Sequence, residues 1–304
     1  MTNVIEIKNL TKSYGKNRGV IDVKLSVKEG DIFGFLGPNG AGKSTTIKML
    51  CGALYPTSGK IDVMGFSPAR DRMKYVHQIG AVFGQKSQLI WDIPPVDSFA
   101  MNKAIYGIAD ADYKKRLSEM AELFDIGEVM HKPTRVLSLG ERMKCEFVMA
   151  MLHNPKIVFL DEPTIGLDVI AKAKIREVVS EMNRNGTTFI LTTHDLEDVE
   201  QLAREVIVIN HGKKVFDDNL QNLKSALGNK KIVNLSLAKP FKGDKVGDAL
   251  VIPGSNDHEI SLEVDLDKQN IRDFLDSLGG VLDFKDISIK ELPMETIITR
   301  IYSE

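Results

Sequence analysis

The segment from Gly37 to Ser44 has the composition of a loop that binds phosphate groups. Its sequence, GPNGAGKS, fits the pattern G-x-x-x-x-G-K-[ST] at every position. The glycines free the backbone, so that consecutive N–H groups can point at phosphate oxygens. Lys43 is placed to reach the β- and γ-phosphates, and the Ser44 hydroxyl can ligate Mg²⁺. The pattern predicts nucleotide binding, but kinases, GTPases and ATP-driven motors share it.

Two adjacent carboxylates, Asp161 and Glu162, follow the apolar run from Ile157 to Leu160. An Asp at the end of such a strand can hold Mg²⁺. A second carboxylate beside it can orient and polarise a water molecule. Because a kinase would exclude water from its site, Glu162 favours hydrolysis. The alternative is an ordinary acidic residue at the start of a loop or helix.

The elements that must position these residues are short apolar strands alternating with amphipathic helices, which is typical of an α/β sheet protein. A helix is predicted from Ser44 to Leu50, directly after the glycine-rich loop. Open α/β sheets bind ligands at the carboxyl ends of their strands. The first three predicted strands end at the loop, at Asp161 and at His194. The predicted strands are 32–36, 157–160, 189–193 and 206–209.

The pattern changes twice along the chain. Between about 86 and 151 helical periodicity replaces alternating strands, for example from Tyr113 to Phe124, which predicts a helical insert. After about 220 the sequence predicts a small α+β accessory domain, so we expect domains at 1–220 and 221–304. Its predicted strands are 232–237, 260–264 and 281–289, and its predicted helices are 268–278 and 294–301.

The composition excludes collagen, mucin and a wholly disordered chain. The chain has 304 residues with 43% hydrophobic content, which is typical of a folded globular protein. Its 40 basic and 42 acidic residues give a net charge of -2, which argues against a dedicated nucleic-acid binder. Cys51 and Cys145 form no disulfide framework, which favours a reducing compartment. The apolar runs are shorter than the ~20 residues that span a bilayer, so another polypeptide would have to supply any membrane spans.

Taken in order along the chain, the motifs resemble those of the nucleotide-binding subunits of ATP-binding-cassette (ABC) transporters. The resemblance covers 1 to about 220. It implies a P-loop NTPase fold of the ABC type: a RecA-like sheet core with an N-terminal antiparallel β portion and a helical subdomain at about 86–151. Beyond the phosphate loop and the two carboxylates, the matching residues are Tyr14 (adenine stacking), Gln85 (Q-loop), Leu137–Glu141 (signature), Gly166–Asp168 (D-loop) and His194 (switch histidine).

The resemblance also implies ATP and Mg²⁺ as ligands, together with a set of site residues. The implied catalytic residues are Glu162, His194 and Gln85, and the implied metal-binding residues are Ser44, Gln85 and Asp161. The implied nucleotide-binding residues are Tyr14, Gly37, Pro38, Asn39, Gly40, Ala41, Gly42, Lys43, Ser44, Thr45, Ser138, Gly140 and Asp168. Three of these have structural alternatives: Tyr14 could pack on the sheet edge, Gln85 could be a surface residue, and His194 could be a structural histidine.

The partners follow from the same resemblance. It implies a second ATP-binding subunit, as a homodimer in which the signature helix of one chain faces the γ-phosphate held by the other. It also implies separate membrane-spanning permease subunits, a cytoplasmic position on the membrane face and no nucleic-acid partner. Two parts of the chain are similar to exporters of drugs, antibiotics, ions and polysaccharides, which favours export over import. They are the stretch from Gly30 to Gly37 and the tail, with Ile287–Glu291 and 294–301. Trp91, the only tryptophan, could line a groove for a partner helix or could seat the helical insert on its own domain.

The signature departs from the usual L-S-G-G-Q of this family. Leu139 stands where the first glycine would be, and Glu141 replaces glutamine. If Leu139 needed a positive φ, the cost would be about 1 kcal/mol or more; alternatively, its backbone is ordinary and its side chain packs on the neighbouring chain. Two other functions stay open at this point: an ABC ATPase acting on ribosomes or nucleic acid, and a nucleotide-binding regulatory module with little turnover.

Overall fold

The computed structural model describes residues 2–15, 17–84, 86–193, 196–225, 229–241, 243, 245–246, 249–252, 258–278, 282–291, 296 and 299–301. The chain divides into two compact units, Met1–Leu220 and Gln221–Glu304. Each unit has its own apolar core.

The first unit contains most of the regular structure. Its strands are β1 (Asn3–Tyr14), β2 (Asn17–Lys28), β3 (Ile32–Leu36), β4 (Ser58–Val63), β5 (Ile79–Phe83), β6 (Ile157–Asp161), β7 (Thr188–Thr192), β8 (Glu205–Asn210) and β9 (Lys213–Asn219). Its helices are α1 (Lys43–Leu50), α2 (Arg72–Tyr75), α3 (Pro95–Tyr106), α4 (Asp110–Phe124), α5 (Leu139–Met151), α6 (Val169–Arg184) and α7 (Leu196–Leu202), and α8 (Leu220–Ser225) begins at its last residue.

Two sheets organise this unit in the described part of the chain. Six strands form one sheet in the order β5-β6-β7-β3-β8-β9, parallel except for β9. Three antiparallel strands form the other in the order β2-β1-β4. The residues of β3 and β7 are all buried, as expected for central strands of a parallel sheet covered on both faces.

One apolar cluster of the first unit lies where both sheets meet α1. Ile5, Val23, Phe35, Ile47 and Phe159 are fully buried members of this cluster. Because β3, β5, β6 and β7 are parallel, their carboxyl ends lie at one edge of the sheet. That edge brings the loop after Leu36 to the same side as Asp161 and Thr192.

In its described residues, the second unit contains an antiparallel sheet that packs against a helix. Among these residues the strand order is β11-β12-β13-β10-β14. Phe274 and Leu278 from the helix share an apolar core with strand residues such as Val233 and Leu262. The elements are β10 (Lys230–Leu237), β11 (Lys245–Val246), β12 (Ala249–Val251), β13 (Glu259–Asp265), α9 (Ile271–Leu278) and β14 (Phe284–Glu291). Most of the helix predicted at 294–301 lies outside the described residues.

These elements confirm the predicted α/β class with an antiparallel portion, a helical region and a small α+β unit. The predicted strand 189–193 is observed one residue earlier, and the helix predicted from Tyr113 begins at Asp110. Among the described helices, none combines the length and the apolar character needed to cross a bilayer.

Candidate functional site

The glycine-rich loop that begins at Gly37 connects β3 to α1 and depends on glycine for its shape. At Gly42 φ is 114°, in the range that favours glycine. A Cβ atom there would lie 2.3 Å from the carbonyl oxygen of Gly19. The sequence between the strand and the helix therefore requires glycine at this position for two independent reasons.

The first turn of α1 is left open to an external acceptor. The helix begins directly after Gly42, and no side chain in the described residues caps it. Its first turn, Lys43 to Thr46, contains no acidic residue. Uncapped backbone N–H groups and the positive end of the helix dipole together favour an anion.

Lys43 is buried inside the loop, with 5% of its surface exposed. Its Nζ donates to the carbonyl oxygens of Gly37, at 2.7 Å, and Pro38, at 3.3 Å. Nζ also lies 3.7 Å from Oε1 of Glu162. Burial lowers the pKa of the Lys43 ammonium, while the carboxylates of Glu162 and Asp161 act in the opposite direction. The loop thus holds a cation at the mouth of the anion-binding turn.

Asp161 is held by two hydroxyl groups. The Oγ of Ser44 donates to Oδ1 of Asp161 at 2.8 Å, and Oγ1 of Thr192 donates to the same oxygen at 2.6 Å. The first bond joins α1 to the end of β6, and the second joins β6 to β7. A hydroxyl beside a carboxylate supplies the oxygen ligands that Mg²⁺ prefers, so these side chains fit that ion.

Glu162 has an unusual backbone conformation. Its φ is 55°, which is uncommon for a residue other than glycine. Its N–H donates to the carbonyl oxygen of Thr192 at 3.0 Å, and its side chain is nearly buried. Gly84 lies against this turn, because a Cβ on Gly84 would come within 2.0 Å of the Glu162 carbonyl oxygen. Strained backbone of this kind concentrates at functional sites.

A cavity of about 230 Å³ joins the loop to Glu162. Its lining residues are Asn39, Gly40, Ala41, Gly42, Lys43, Ser44, Thr45, Glu162 and Ile165. A larger cavity, of about 640 Å³, lies beside β4 and is lined by other residues, including Tyr55 and Arg70. We favour the smaller cavity, because it alone of the two combines an open helix start, a buried cation and a carboxylate.

Tyr14 ends β1 and is half exposed. A Cβ on Gly19 would lie 3.0 Å from Cε2 of Tyr14, and Gly19 is the residue whose carbonyl oxygen abuts Gly42. Nζ of Lys12 lies 5.4 Å from the centre of the tyrosine ring. Through Gly19, the structure therefore places the ring beside the glycine-rich loop.

The signature residues form a second group at the start of α5. Ser138 is the N-cap, and its Oγ accepts from the N–H of Glu141 at 3.2 Å. Oε2 of Glu141 accepts from the N–H of Ser138 at 2.8 Å, which completes a capping box. This backbone donor lowers the pKa of the Glu141 carboxyl. A Cβ on Gly140 would lie 3.2 Å from Cβ of Ala171, so the start of α5 packs close to α6.

Leu139 occupies the first turn of α5 with helical backbone. The cost of a positive φ, considered as one of the two alternatives, is therefore absent. Its Cδ2 would lie 3.1 Å from a Cβ on Gly166, a residue with φ of 73°. Leu139 thus packs against the D-loop turn of its own chain.

The remaining predicted residues are placed as follows. Asp168 is the N-cap of α6 and accepts from the N–H of Ala171 at 2.8 Å. Ser138, Gly140 and Asp168 do not line the cavity at the loop. Gln85 and His194 lie outside the described residues.

Comparisons with known proteins agree with this arrangement. A family model described as ABC transporter matches residues 20–165. The linearmycin resistance ATP-binding protein LnrL of Bacillus subtilis is 32% identical over 235 residues, which are 77% of this chain and 75% of that protein. The bacitracin transport ATP-binding protein BcrA of Bacillus licheniformis is 33% identical over 244 residues, which are 80% of this chain and 78% of that protein.

The chain belongs to the ABC transporter family. Its fold agrees with that assignment. A dimeric ATP-binding cassette in a post-hydrolysis state, bound to ADP and phosphate, superposes with a TM-score of 0.63 at 25% identity, covering 71% of this chain and 98% of that one. The expected resemblance, fold and ATP hydrolase activity are confirmed, and the ABC domain binds nucleotide.

Sequence reasoning missed several residues of this ABC cassette. Thr192 donates a hydrogen bond to Asp161, and a threonine directly after the apolar run of residues 189–191 was a usable signal. The roles of Gly19 and Gly84 depend on backbone contacts with residues far away in the sequence, so the local pattern carried no sign of them.

Proposed function

We propose that this ABC ATPase energises a membrane-spanning exporter, with Mg²⁺ at Ser44 and Asp161 and Glu162 as the group that polarises the attacking water. The observation that carries the proposal is the meeting of Lys43, Ser44, Asp161 and Glu162 at one edge of the parallel sheet. A cation, a hydroxyl–carboxylate pair and a second carboxylate at the mouth of an open helix are what phosphoryl transfer to water needs.

The described residues divide the work between them. Backbone N–H groups from Asn39 to Thr45 bind the phosphates, and Lys43 neutralises charge that develops on the terminal phosphate. Ser44 and Asp161 would hold Mg²⁺, which would supply further positive charge to the site. Glu162 accepts a hydrogen bond from water. The turn at Glu162, braced by Gly84 and Thr192, fixes the direction of that carboxylate.

We propose the further roles of Gln85, His194, Tyr14 and the signature on the family's pattern. Gln85 would help to hold Mg²⁺ and the attacking water, His194 contacts the γ-phosphate, and Tyr14 stacks on adenine. Ser138 and Gly140 face the nucleotide of a second copy of the chain, beside Asp168. The dimeric structural neighbour supports the pairing with a second copy.

Export, a peripheral position at the cytoplasmic membrane face and separate permease subunits belong to the same proposal. The two relatives are named for linearmycin resistance and bacitracin transport, which favours transport over work on ribosomes or nucleic acid. The regulatory-module alternative drew on Leu139, and the helical backbone there removes that reason. For 221–304 we propose an accessory role that steadies or regulates the assembly.

Trp91 supplies a docking residue for the permease. Its side chain is 51% exposed, so it does not seat the helical insert as a buried residue would. Its carbonyl oxygen accepts from the N–H of Arg135 at 3.0 Å, and the guanidinium carbon of Arg142 lies 5.6 Å from its ring centre. The contact with Arg142 therefore orients the ring, while its exposed part remains available to an apolar partner.

The catalytic part is tested with Glu162→Gln, which keeps the shape of the side chain and removes its charge. We expect turnover to fall by about two to four orders of magnitude while ATP binding persists, because general-base catalysis contributes that much. The matched control is Glu122→Gln, the same change at an exposed residue of α4. Turnover retained in the Glu162 variant would overturn the assignment.

The transport part is tested by solubilising membranes that contain the tagged chain. We expect a multi-spanning protein to be retained, and Trp91→Ala to weaken its retention without lowering the basal ATPase rate. A complex without any multi-spanning protein would contradict the proposal.

A further inference from the structure

A buried carboxylate on α5 lies outside the site described so far. Glu146 is 3% exposed and sits two turns after Ser138 and Gly140 on the signature helix. Its carboxylate reaches the segment that follows Gln85. Oε1 accepts from the N–H of Gln88 at 2.9 Å, and Oε2 lies 3.1 Å from the same nitrogen.

Two further donors converge on this group. The Ser87 hydroxyl donates a hydrogen bond to Oε1 of Glu146. The N–H of Leu89 lies 3.4 Å from the same oxygen and also donates to Oγ of Ser87 at 3.2 Å. One side chain therefore organises three consecutive residues of the loop, Ser87 to Leu89.

A carboxylate suits this position better than an amide does. An ionised carboxylate only accepts hydrogen bonds and offers about four acceptor sites, so it can serve every donor of the loop. Glutamine would turn an NH₂ group toward one of those donors. Burial raises the pKa of Glu146, and the hydrogen bonds from Ser87, Leu89 and Gln88 and the charge of Arg142 oppose that rise. A buried charge is costly, and it is tolerated where hydrogen bonds satisfy it.

The other end of the loop is fixed to the catalytic strand. The N–H of Gly84 donates to the carbonyl oxygen of Asp161 at 2.8 Å. Phe83 pairs with Asp161 across β5 and β6, and it also bridges to Lys86. The residues before Gln85 are thus bound to β6 at Asp161, and the residues after it are bound to the signature helix at Glu146.

We propose that Glu146 is a positioning residue that ties the loop of Gln85 to the signature helix. When α5 moves, the hydrogen bonds from Ser87 and Gln88 carry the exit of the loop with it, while Gly84 stays with Asp161. The position of the loop exit, Ser87 to Leu89, then depends on the position of α5 and its signature residues. This inference rests on the proposed role of Gln85 in catalysis.

The test compares steady-state ATP hydrolysis by the full chain carrying Glu146→Gln, Gln85→Ala or both changes, with Glu122→Gln as the control. For Glu146→Gln we expect kcat to fall by about tenfold to a hundredfold, as for other residues that orient a metal-site ligand, with KM for ATP within about twofold of the wild type. The double variant should be no slower than Gln85→Ala alone, because both changes disable one element.

A purely structural role for Glu146 predicts different results. Losses in kcat that multiply in the double variant, or a changed KM with unchanged kcat, would overturn the inference and leave the proposed function standing. An unchanged kcat for Gln85→Ala would overturn both the inference and the proposed role of Gln85.

A second variant keeps the test decisive if Glu146→Gln does not fold. Ser87→Ala removes one donor to the carboxylate from an exposed position. We expect a smaller loss of kcat that also disappears in the Gln85→Ala background. An unaltered kcat for Ser87→Ala, or a loss that multiplies with that of Gln85→Ala, would count against the coupling.

Discussion

Two helices of the cassette begin in opposite ways. The first turn of α1 has a glycine N-cap, no capping side chain among the described residues and no acidic residue. The first turn of α5 has a serine N-cap and a reciprocal capping box with Glu141. Both helix starts belong to motifs that the resemblance assigns to phosphate recognition.

The difference separates a helix start that is open from one that is closed. At α1 the uncapped N–H groups and Lys43 make a site for an anion within a single chain. At α5 the side chains of Ser138 and Glu141 satisfy backbone donors, and a carboxylate already occupies the positive end of the helix dipole. We therefore expect one chain to bind nucleotide through α1 alone, and α5 to contribute only when a second chain approaches.

Among changes at the two helix starts, the largest effect should come from Lys43→Ala, which removes the cation of the open site. We expect turnover to fall by about two to three orders of magnitude, comparable to the loss of one preorganised donor to transition-state charge. Lys48→Ala, in the same helix but exposed, is the control. Equal ATP affinity and rate in the two variants would show that α1 is not the phosphate site.

The second-largest effect should come from Ser138→Ala, which removes the hydroxyl that caps the start of α5. We expect the free energy of unfolding without nucleotide to fall by about 1 kcal/mol, because an N-cap hydrogen bond is lost. Ser138→Thr keeps a capping hydroxyl and should remain close to the wild type. Urea unfolding of the three proteins measures the difference, and equal stability would mean that the cap contributes nothing.

A smaller effect is expected from Glu141→Gln, which keeps the capping box and removes its charge. A charge at a helix terminus contributes about 0.3–1 kcal/mol, so its removal should tighten ATP-dependent dimerisation by about twofold to fivefold. Sedimentation at low salt in the Glu162→Gln background measures the dimer. Weaker dimerisation would show that Glu141 assists the incoming phosphate instead of competing with it.

The smallest effect is a pH dependence of stability. Because the pKa of Glu141 is lowered in the folded chain, its contribution to stability is present above the ordinary value of 4.5 and is lost as the pH falls through the folded value. The stability difference between the wild type and Glu141→Gln should therefore shrink as the pH is lowered below 4.5. A difference that stays constant across this range would contradict the capping role of the carboxylate.

The sequence predicted the open site better than the closed one. Gly37 to Ser44 is contiguous, so its pattern alone indicates a loop and a helix start, and the apolar runs of β3 and β6 locate their ends to within a residue. The sequence analysis did not predict that side chains cap the start of α5, although Ser138 and Glu141 have the spacing of a capping box. The contact of Leu139 with Gly166 depends on how two separate helices pack, which no local pattern encodes.

The same limit applies to Glu146 and to the smaller strands. A glutamate in an amphipathic helix is ordinarily exposed, and nothing near it in the sequence indicates that the segment from Ser87 to Leu89 covers it. In the second unit, β11 and β12 have two and three residues, too few for alternation to be visible. Their pairing is a product of the tertiary fold.

The close approach of Gly84 to Glu162 restricts how this chain can vary. A Cβ atom at position 84 would lie 2.0 Å from the carbonyl oxygen of Glu162, so even a methyl group has no room unless the turn of Glu162 moves. Saturation mutagenesis should therefore find position 84 as intolerant of substitution as the catalytic positions, although glycine has no side chain that could take part in the reaction.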